Sequence, residues 1–172
     1  MRALIAIITA LAILSTQAPE TQREPSSDYM GIVWSNATDE TRRELPLEFQ
    51  AYACGMTASE FEYMARTIEA ESDRTNSMEG KIHIAAVILN RVNGGSFPDS
   101  IQGVLDQSGQ FTTTSNGWCS TPYTETSRWA IVEAQRRLAE GTIPENLLYF
   151  NAIGYNYGTP YGYIDGNYFM TA

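Results

Sequence analysis

The sequence predicts an α+β fold, with about three main helices and a small antiparallel β-sheet near the C-terminus. Three observations predict it. Phe61, Met64, Ala65 and Ile68 follow the 3, 4 spacing of one helix face. Residues 80–92 are apolar on almost every side, as in a fully buried helix. Near the C-terminus, Asp165-Gly166 is a hairpin-turn signal leading into a strand at Asn167-Tyr-Phe-Met170.

The chain opens with Arg2 and a short apolar run from Ala3 to Leu14, with small residues at Thr16 and Ala18. Residues 1–18 therefore read as a secretory signal peptide. The run is shorter than the roughly 20 residues that span a bilayer, so no stable membrane span is expected after cleavage. Residues 19–53, with Pro19, Pro25 and mixed charge, show no sustained period and read as a linker or loosely ordered arm. The folded domain is expected over 54–172. Ser59-Glu-Phe-Glu62 has the form of a capping box and predicts the first helix start. That helix ends near Glu71. The second should run from about Ser77 to Val92 and stop at Asn93-Gly-Gly95. Residues 100–105 fit a short helix, and residues 108–122, rich in Thr, Ser, Asn and Gly, fit loop and short strand. A long helix follows from about Thr124 to Glu140, with Trp129, Val132 and Leu138 inward. Leu147–Asn151 is a strand candidate. Residues 154–163 are too Gly-rich for one regular element throughout.

Composition excludes several functions. The 172 residues suit one domain, 43% hydrophobic, with a net charge of -9 that becomes -10 once residues 1–18 and their one Arg are removed. Nucleic-acid binders carry a basic face, so no nucleic-acid partner is expected. Attraction to an anionic wall cannot come from net charge either, so binding there needs a shaped groove. Ten Tyr and three Trp either fill the core or line such a groove. In an exported chain, Cys54 and Cys119 form a possible disulfide or remain two unpaired thiols.

The residue inventory narrows the chemistry further. His83 is the sole histidine and sits inside the run Ile82–Leu89, where a packing role fits better than catalysis. One His and two distant Cys do not make a zinc set, and no phosphate-binding glycine loop follows a strand; neither metal nor cofactor is expected. Carboxylate chemistry remains. Glycoside cleavage needs a protonated acid, and desolvation beside a buried helix can keep a carboxyl protonated. Glu71, at a helix end near the apolar segment, fits that role. It equally fits a solvated surface charge, and spacing alone does not choose.

The motifs Ala65-Arg-Thr-Ile-Glu-Ala-Glu-Ser72, Glu79-Gly80, Ala85-Ala-Val-Ile-Leu-Asn-Arg-Val92, Phe97-Pro98, Ser100-Ile-Gln-Gly-Val104, Gln110-Phe111, Leu148-Tyr-Phe-Asn151 and Gly166-Asn-Tyr-Phe169 change this. In order and spacing over residues 61–170 they resemble the catalytic domain of the cell wall hydrolase family, the SleB-type spore cortex-lytic enzymes. The resemblance implies a lysozyme-like helical core. It implies a peptidoglycan partner, cleaved between N-acetylmuramic acid and N-acetylglucosamine as a lytic transglycosylase does, with Glu71 as the catalytic acid. It places Phe111, Tyr149 and Asn151 as candidate substrate-binding residues; Phe111 and Tyr149 fit the core equally. It implies a secreted or cell-wall location, with spore association as one setting. A monomer is expected. The chain departs from the family pattern at Tyr168, where His is frequent. Two alternatives stand beside this reading. One is a non-catalytic wall-binding protein on the same fold; the other is a lysozyme pairing Glu71 with Asp99, Asp106 or Glu125.

Overall fold

The computed structural model describes residues 25–72 and 77–172. The signal-like residues 1–18 lie outside them. The fold is α+β, as predicted. In order come α1 (Ser27–Asn36), α2 (Asp39–Glu44), α3 (Leu47–Ala53), α4 (Ala58–Glu71), α5 (Met78–Asn93), α6 (Ile101–Leu105), β1 (Thr114–Ser115), β2 (Trp118–Cys119), α7 (Glu125–Ala139), β3 (Leu147–Asn151), β4 (Thr159–Ile164) and β5 (Asn167–Thr171).

Helix α5 is the centre of the molecule. Every residue from Gly80 to Arg91 is buried. Ser77 caps its N-terminus by accepting from Gly80 N, and Gly94 caps its end. It packs on α7 along one side and β3 along another. Asn90 Nδ2 donates to the carbonyls of Pro144 (2.9 Å) and Leu147 (3.0 Å), and Arg91 Nε to that of Leu148 (2.8 Å). These bonds satisfy polar side chains that burial would otherwise penalise, and they tie β3 to the helix.

Helix α4 lays Phe61, Met64, Ala65 and Ile68, all fully buried, on the same core. Its capping box is Thr57 with Glu60, two residues before the predicted one. The chain is already extended at Thr57, with φ -70 and ψ 156, and Glu62 is instead taken by Arg66 one turn on (2.7 Å).

The predicted loose arm is corrected over 25–53. Helices α1 to α3 form there, and α3 buries Phe49, Gln50 and Ala51 against α4 and α7. Gln50 Nε2 donates to the carbonyls of Arg42 and Arg43 (3.0 Å each). The Arg43 guanidinium lies 4.8 Å from the Trp129 ring centre. Short helices with little apolar surface show no period in sequence, and docking holds them.

Strands β3, β5 and β4 form one antiparallel sheet in that spatial order, and β1–β2 a separate small hairpin. The predicted Asp165-Gly166 turn is present, with φ of +49 and +85, the left-handed pair that favours Asp-Gly. The Asp165 carboxylate also accepts from Gly80 N (2.9 Å) and the Ser77 hydroxyl, docking the turn on the start of α5. A Cβ at Gly80 would sit 3.0 Å from that of Asp165, so a larger residue there would push the turn back by a few tenths of an ångström. Within the segment read as irregular, residues 159–164 form β4. As an edge strand it tolerates Pro160, next to a register shift.

The possible disulfide is corrected too: Cys54 and Cys119 are buried free thiols. Cys54 closes α3 and faces a cleft with Trp129 and Val132, whereas Cys119 lies in β2, which packs on α4. Burial pushes the Cys54 thiol up to about 12, which makes it inert.

Candidate active site

The C-terminal turn of α4 carries two carboxylates with different surroundings. Residues two apart on a helix point to nearly opposite sides. Glu69 turns inward. Its Oε2 accepts from the Lys81 ammonium (2.7 Å) and the Thr124 hydroxyl (2.7 Å), joining α4 to α5 and to the cap of α7. The Lys81 side chain is 1% exposed. Burial raises the Glu69 carboxyl, but the bonds from Lys81 and Thr124 and the Lys81 charge outweigh it, so the net shift is downward.

Glu71 is the last residue of α4 and turns toward the loop before β1. The Thr113 hydroxyl donates to its Oε1 at 3.4 Å, a long bond. No cation pairs with it among the described residues. Burial raises its carboxyl above the ordinary value, and the Thr113 bond opposes this only in part. The negative end of the helix dipole acts in the same direction as burial. Glu71 thus combines partial access with a bias toward the protonated state, which a general acid requires.

Of the other acids, Glu79 and Asp106 are occupied, while Glu125 is exposed in the first turn of α7. Glu79 pairs with Arg137 (2.7 Å) and lies beside His83. Asp106 accepts from the Tyr63 hydroxyl (2.6 Å), Gly117 N (2.9 Å) and Gln102 (3.3 Å). Burial raises its carboxyl, but these bonds prevail and lower it. Asp106 therefore holds the β1–β2 hairpin in place. Asp99 lines a different cleft, with Cys54 and Gln135. His83 is a packing residue, 4% exposed, with Nδ1 2.9 Å from the Glu79 carbonyl and its ring against Phe169 and Tyr161.

Of the predicted substrate-binding residues, Phe111 is corrected to the core. It is 3% exposed, packed on Phe150 and beneath the Arg91 guanidinium, so its ring offers no face to a ligand. Tyr149 and Asn151 remain half-exposed on β3. The Tyr149 ring contacts Tyr157 and Phe97. Asn151 Oδ1 accepts from Ile153 N and Gly154 N, while its Nδ2 is buried without a partner among the described residues. Sequence reasoning missed Thr113 and the Lys81–Thr124 brace. Thr113 lies in a Thr-rich loop with no local signal, and Lys81 is one charge in an apolar helix.

A larger cavity of about 610 Å³ opens between α5, α7 and the start of β3, lined by Asn90, Gln135, Leu138 and Glu145. None of the predicted site residues lines it, and Glu145 is its one acid. No group of three or more His, Cys, Asp or Glu that could hold a metal occurs among the described residues. No helix among them is long and apolar enough to cross a membrane.

Comparison with known proteins agrees with this architecture. The chain is 35% identical over 99 residues to the spore cortex-lytic enzyme of Bacillus subtilis, covering 56% of this chain and 31% of that protein. It is 34% identical over 80 residues to the spore cortex-lytic enzyme of Bacillus cereus, covering 46% and 30%. The match thus spans under a third of these relatives' lengths. Among solved structures, the catalytic domain of Bacillus cereus SleB superimposes with a TM-score of 0.55 at 27% identity, covering 67% of this chain and 91% of that one. The catalytic domain of the germination-specific lytic transglycosylase SleB from Bacillus anthracis gives 0.56 at 27%, covering 68% and 98%. The family model described as Cell Wall Hydrolase matches residues 75–161, just over half of the chain, and the protein belongs to that family.

Proposed function

We propose that this protein is an exported peptidoglycan glycosidase. It cleaves the bond between N-acetylmuramic acid and N-acetylglucosamine as a lytic transglycosylase, with Glu71 as its single acid and base. The observation that carries this reading is the state of Glu71: accessible, biased toward protonation by burial, and without a paired cation among the described residues. Family membership and the similarity to cortex-lytic enzymes support the substrate class.

Glu71 first donates its proton to the glycosidic oxygen as that bond breaks, and positive charge develops at the sugar C1. The resulting carboxylate takes the proton of the muramyl C6 hydroxyl. That oxygen closes on C1 to give a 1,6-anhydro end, so no second protein carboxylate is needed. The occupied state of Asp106 and Glu79 supports a single-acid scheme. Tyr149 and Asn151, both part-exposed on β3, are proposed to contact the glycan. The site of action is the cell wall, spore cortex included.

Digestion of purified peptidoglycan, followed by mass spectrometry of the fragments, tests this. Wild-type protein should release muropeptides with anhydro ends, and Glu71→Gln should release none. Absence of fragments, or full activity in Glu71→Gln, would contradict it. Reducing ends would instead assign hydrolysis.

A further inference from the structure

The β1–β2 hairpin packs on α4 through β2 and brings side chains to two points of that helix. Thr113, just before β1, touches Glu71. Trp118, which opens β2 at the turn end, and Thr121, just beyond β2, meet Arg66. Arg66 and Glu71 are five residues apart, about 7.5 Å along the helix axis. Trp118 is cross-strand partner to Ser115, while Thr114 and Cys119 form the neighbouring pair. Cys119 is buried and the Thr114 hydroxyl donates to the Leu105 carbonyl, so that pair faces inward. Alternation along the strands puts Ser115 and Trp118 on the outer face.

Trp118 is 54% exposed, whereas Trp129 is 5% exposed. The exposed indole is also held in place. The Arg66 guanidinium covers one ring face, with its carbon 4.6 Å from the ring centre. Arg66 is itself fixed by Glu62 (2.7 and 2.9 Å) and the Thr121 carbonyl (3.0 Å), and lies 5.2 Å from the Tyr123 ring centre. Below the hairpin, Asp106 bridges Tyr63 and Gly117. One indole face is thus pre-positioned and covered, and the other is open to water. A rigid open aromatic face costs little further ordering on binding. It matches the C–H face of a pyranose ring. With a net charge of -9, the protein gains nothing from the carboxylates of peptide stems or of free lactyl groups, so recognition by stacking on the C–H faces of the sugar rings is favoured.

We propose that Trp118 is a sugar-stacking subsite for the glycan strand, presented by Arg66 and placed one to two sugar units from Glu71. This rests on the glycan-cleaving reading above. The test uses peptide-free strands of alternating N-acetylmuramic acid and N-acetylglucosamine, bound to full-length Glu71→Gln, with Kd read by isothermal titration calorimetry and the indole followed by tryptophan fluorescence. Binding should change the emission of Glu71→Gln. Adding Trp118→Ala should raise Kd roughly five- to tenfold. Adding Trp118→Phe, which keeps an aromatic face, should retain most of the affinity while abolishing the emission change. Equal Kd with and without Trp118→Ala, or no strand binding to Glu71→Gln, would overturn the subsite. If the wild type digests peptidoglycan but Trp118→Ala leaves Kd unchanged, the subsite fails and the glycosidase reading stands. If binding depends on Trp118 but the wild type releases no fragments, the subsite stands and the glycosidase reading fails.

Discussion

Glu69 and Glu71 share one helical turn, and their environments set them apart. Glu69 faces the junction of α4, α5 and α7, where an ammonium and a hydroxyl hold it ionised. Glu71 faces the hairpin, where it meets one distant hydroxyl and burial disfavours its charge. The inner carboxylate is suited to holding helices together. The outer one is suited to giving up a proton. The difference teaches that helix register, and not residue type, assigns the two roles.

The largest expected effect breaks the comparison on the activity side. Glu71→Gln should cut peptidoglycan turnover by roughly 10²–10⁴-fold, the usual contribution of a general acid, while leaving the thermal midpoint unchanged or higher. Glu69→Gln should instead lose activity only as far as it loses folded protein. Turnover per folded molecule, with folding followed by circular dichroism, separates the two.

Next comes stability. Lys81→Met should cost about 3–5 kcal/mol in urea unfolding, because it leaves Glu69 without its cation in a poorly solvated site. Replacing both partners, Glu69→Met with Lys81→Met, should recover most of that loss. Equal stability of the single and double variants would show that the pair is not coupled.

How far the sequence reveals this contrast depends on range. Helix α5 was legible to within a residue because Ser77, the apolar run and Gly94 are local signals. Over 108–122 the composition reads only as loop and short strand, although Asn116-Gly117, both at positive φ, is the turn of the β1–β2 hairpin. The α4 cap slipped by two residues because Thr57–Glu60 and Ser59–Glu62 both fit the capping pattern, and Arg66 decides between them. Glu71 could be singled out by motif resemblance but not by spacing. The Glu69–Lys81 pair spans 12 residues and the Glu69–Thr124 contact 55, so only the folded chain reveals them. Phe111 read as groove or core because its partners, Phe150 and Arg91, come from other elements.

pH sharpens the contrast with a smaller effect. Glu71's folded pKa is raised above 4.5, so its contribution to stability is present below 4.5 and is lost as pH rises through the folded value. Glu69's is lowered, so its contribution is present above 4.5 and is lost as pH falls through the folded value. In thermal melts from acid to neutral pH, Glu71→Gln should remove the alkaline-side loss and Glu69→Gln the acid-side loss. Turnover should decline above the raised Glu71 value, where the acid is spent.

The smallest effect belongs to Thr113. Its hydroxyl favours the ionised form of Glu71, so Thr113→Val should move the alkaline limb of the rate profile upward, with kcat changed by about tenfold or less. An unmoved limb would remove Thr113 from the site.

The most direct test is a carbon-13 NMR titration that follows the Glu69 and Glu71 carboxyls in one sample. The expected result is a Glu71 midpoint above 4.5 and a Glu69 midpoint below it. Coincident midpoints, or the reverse order, would contradict the assignment of Glu71 as the acid.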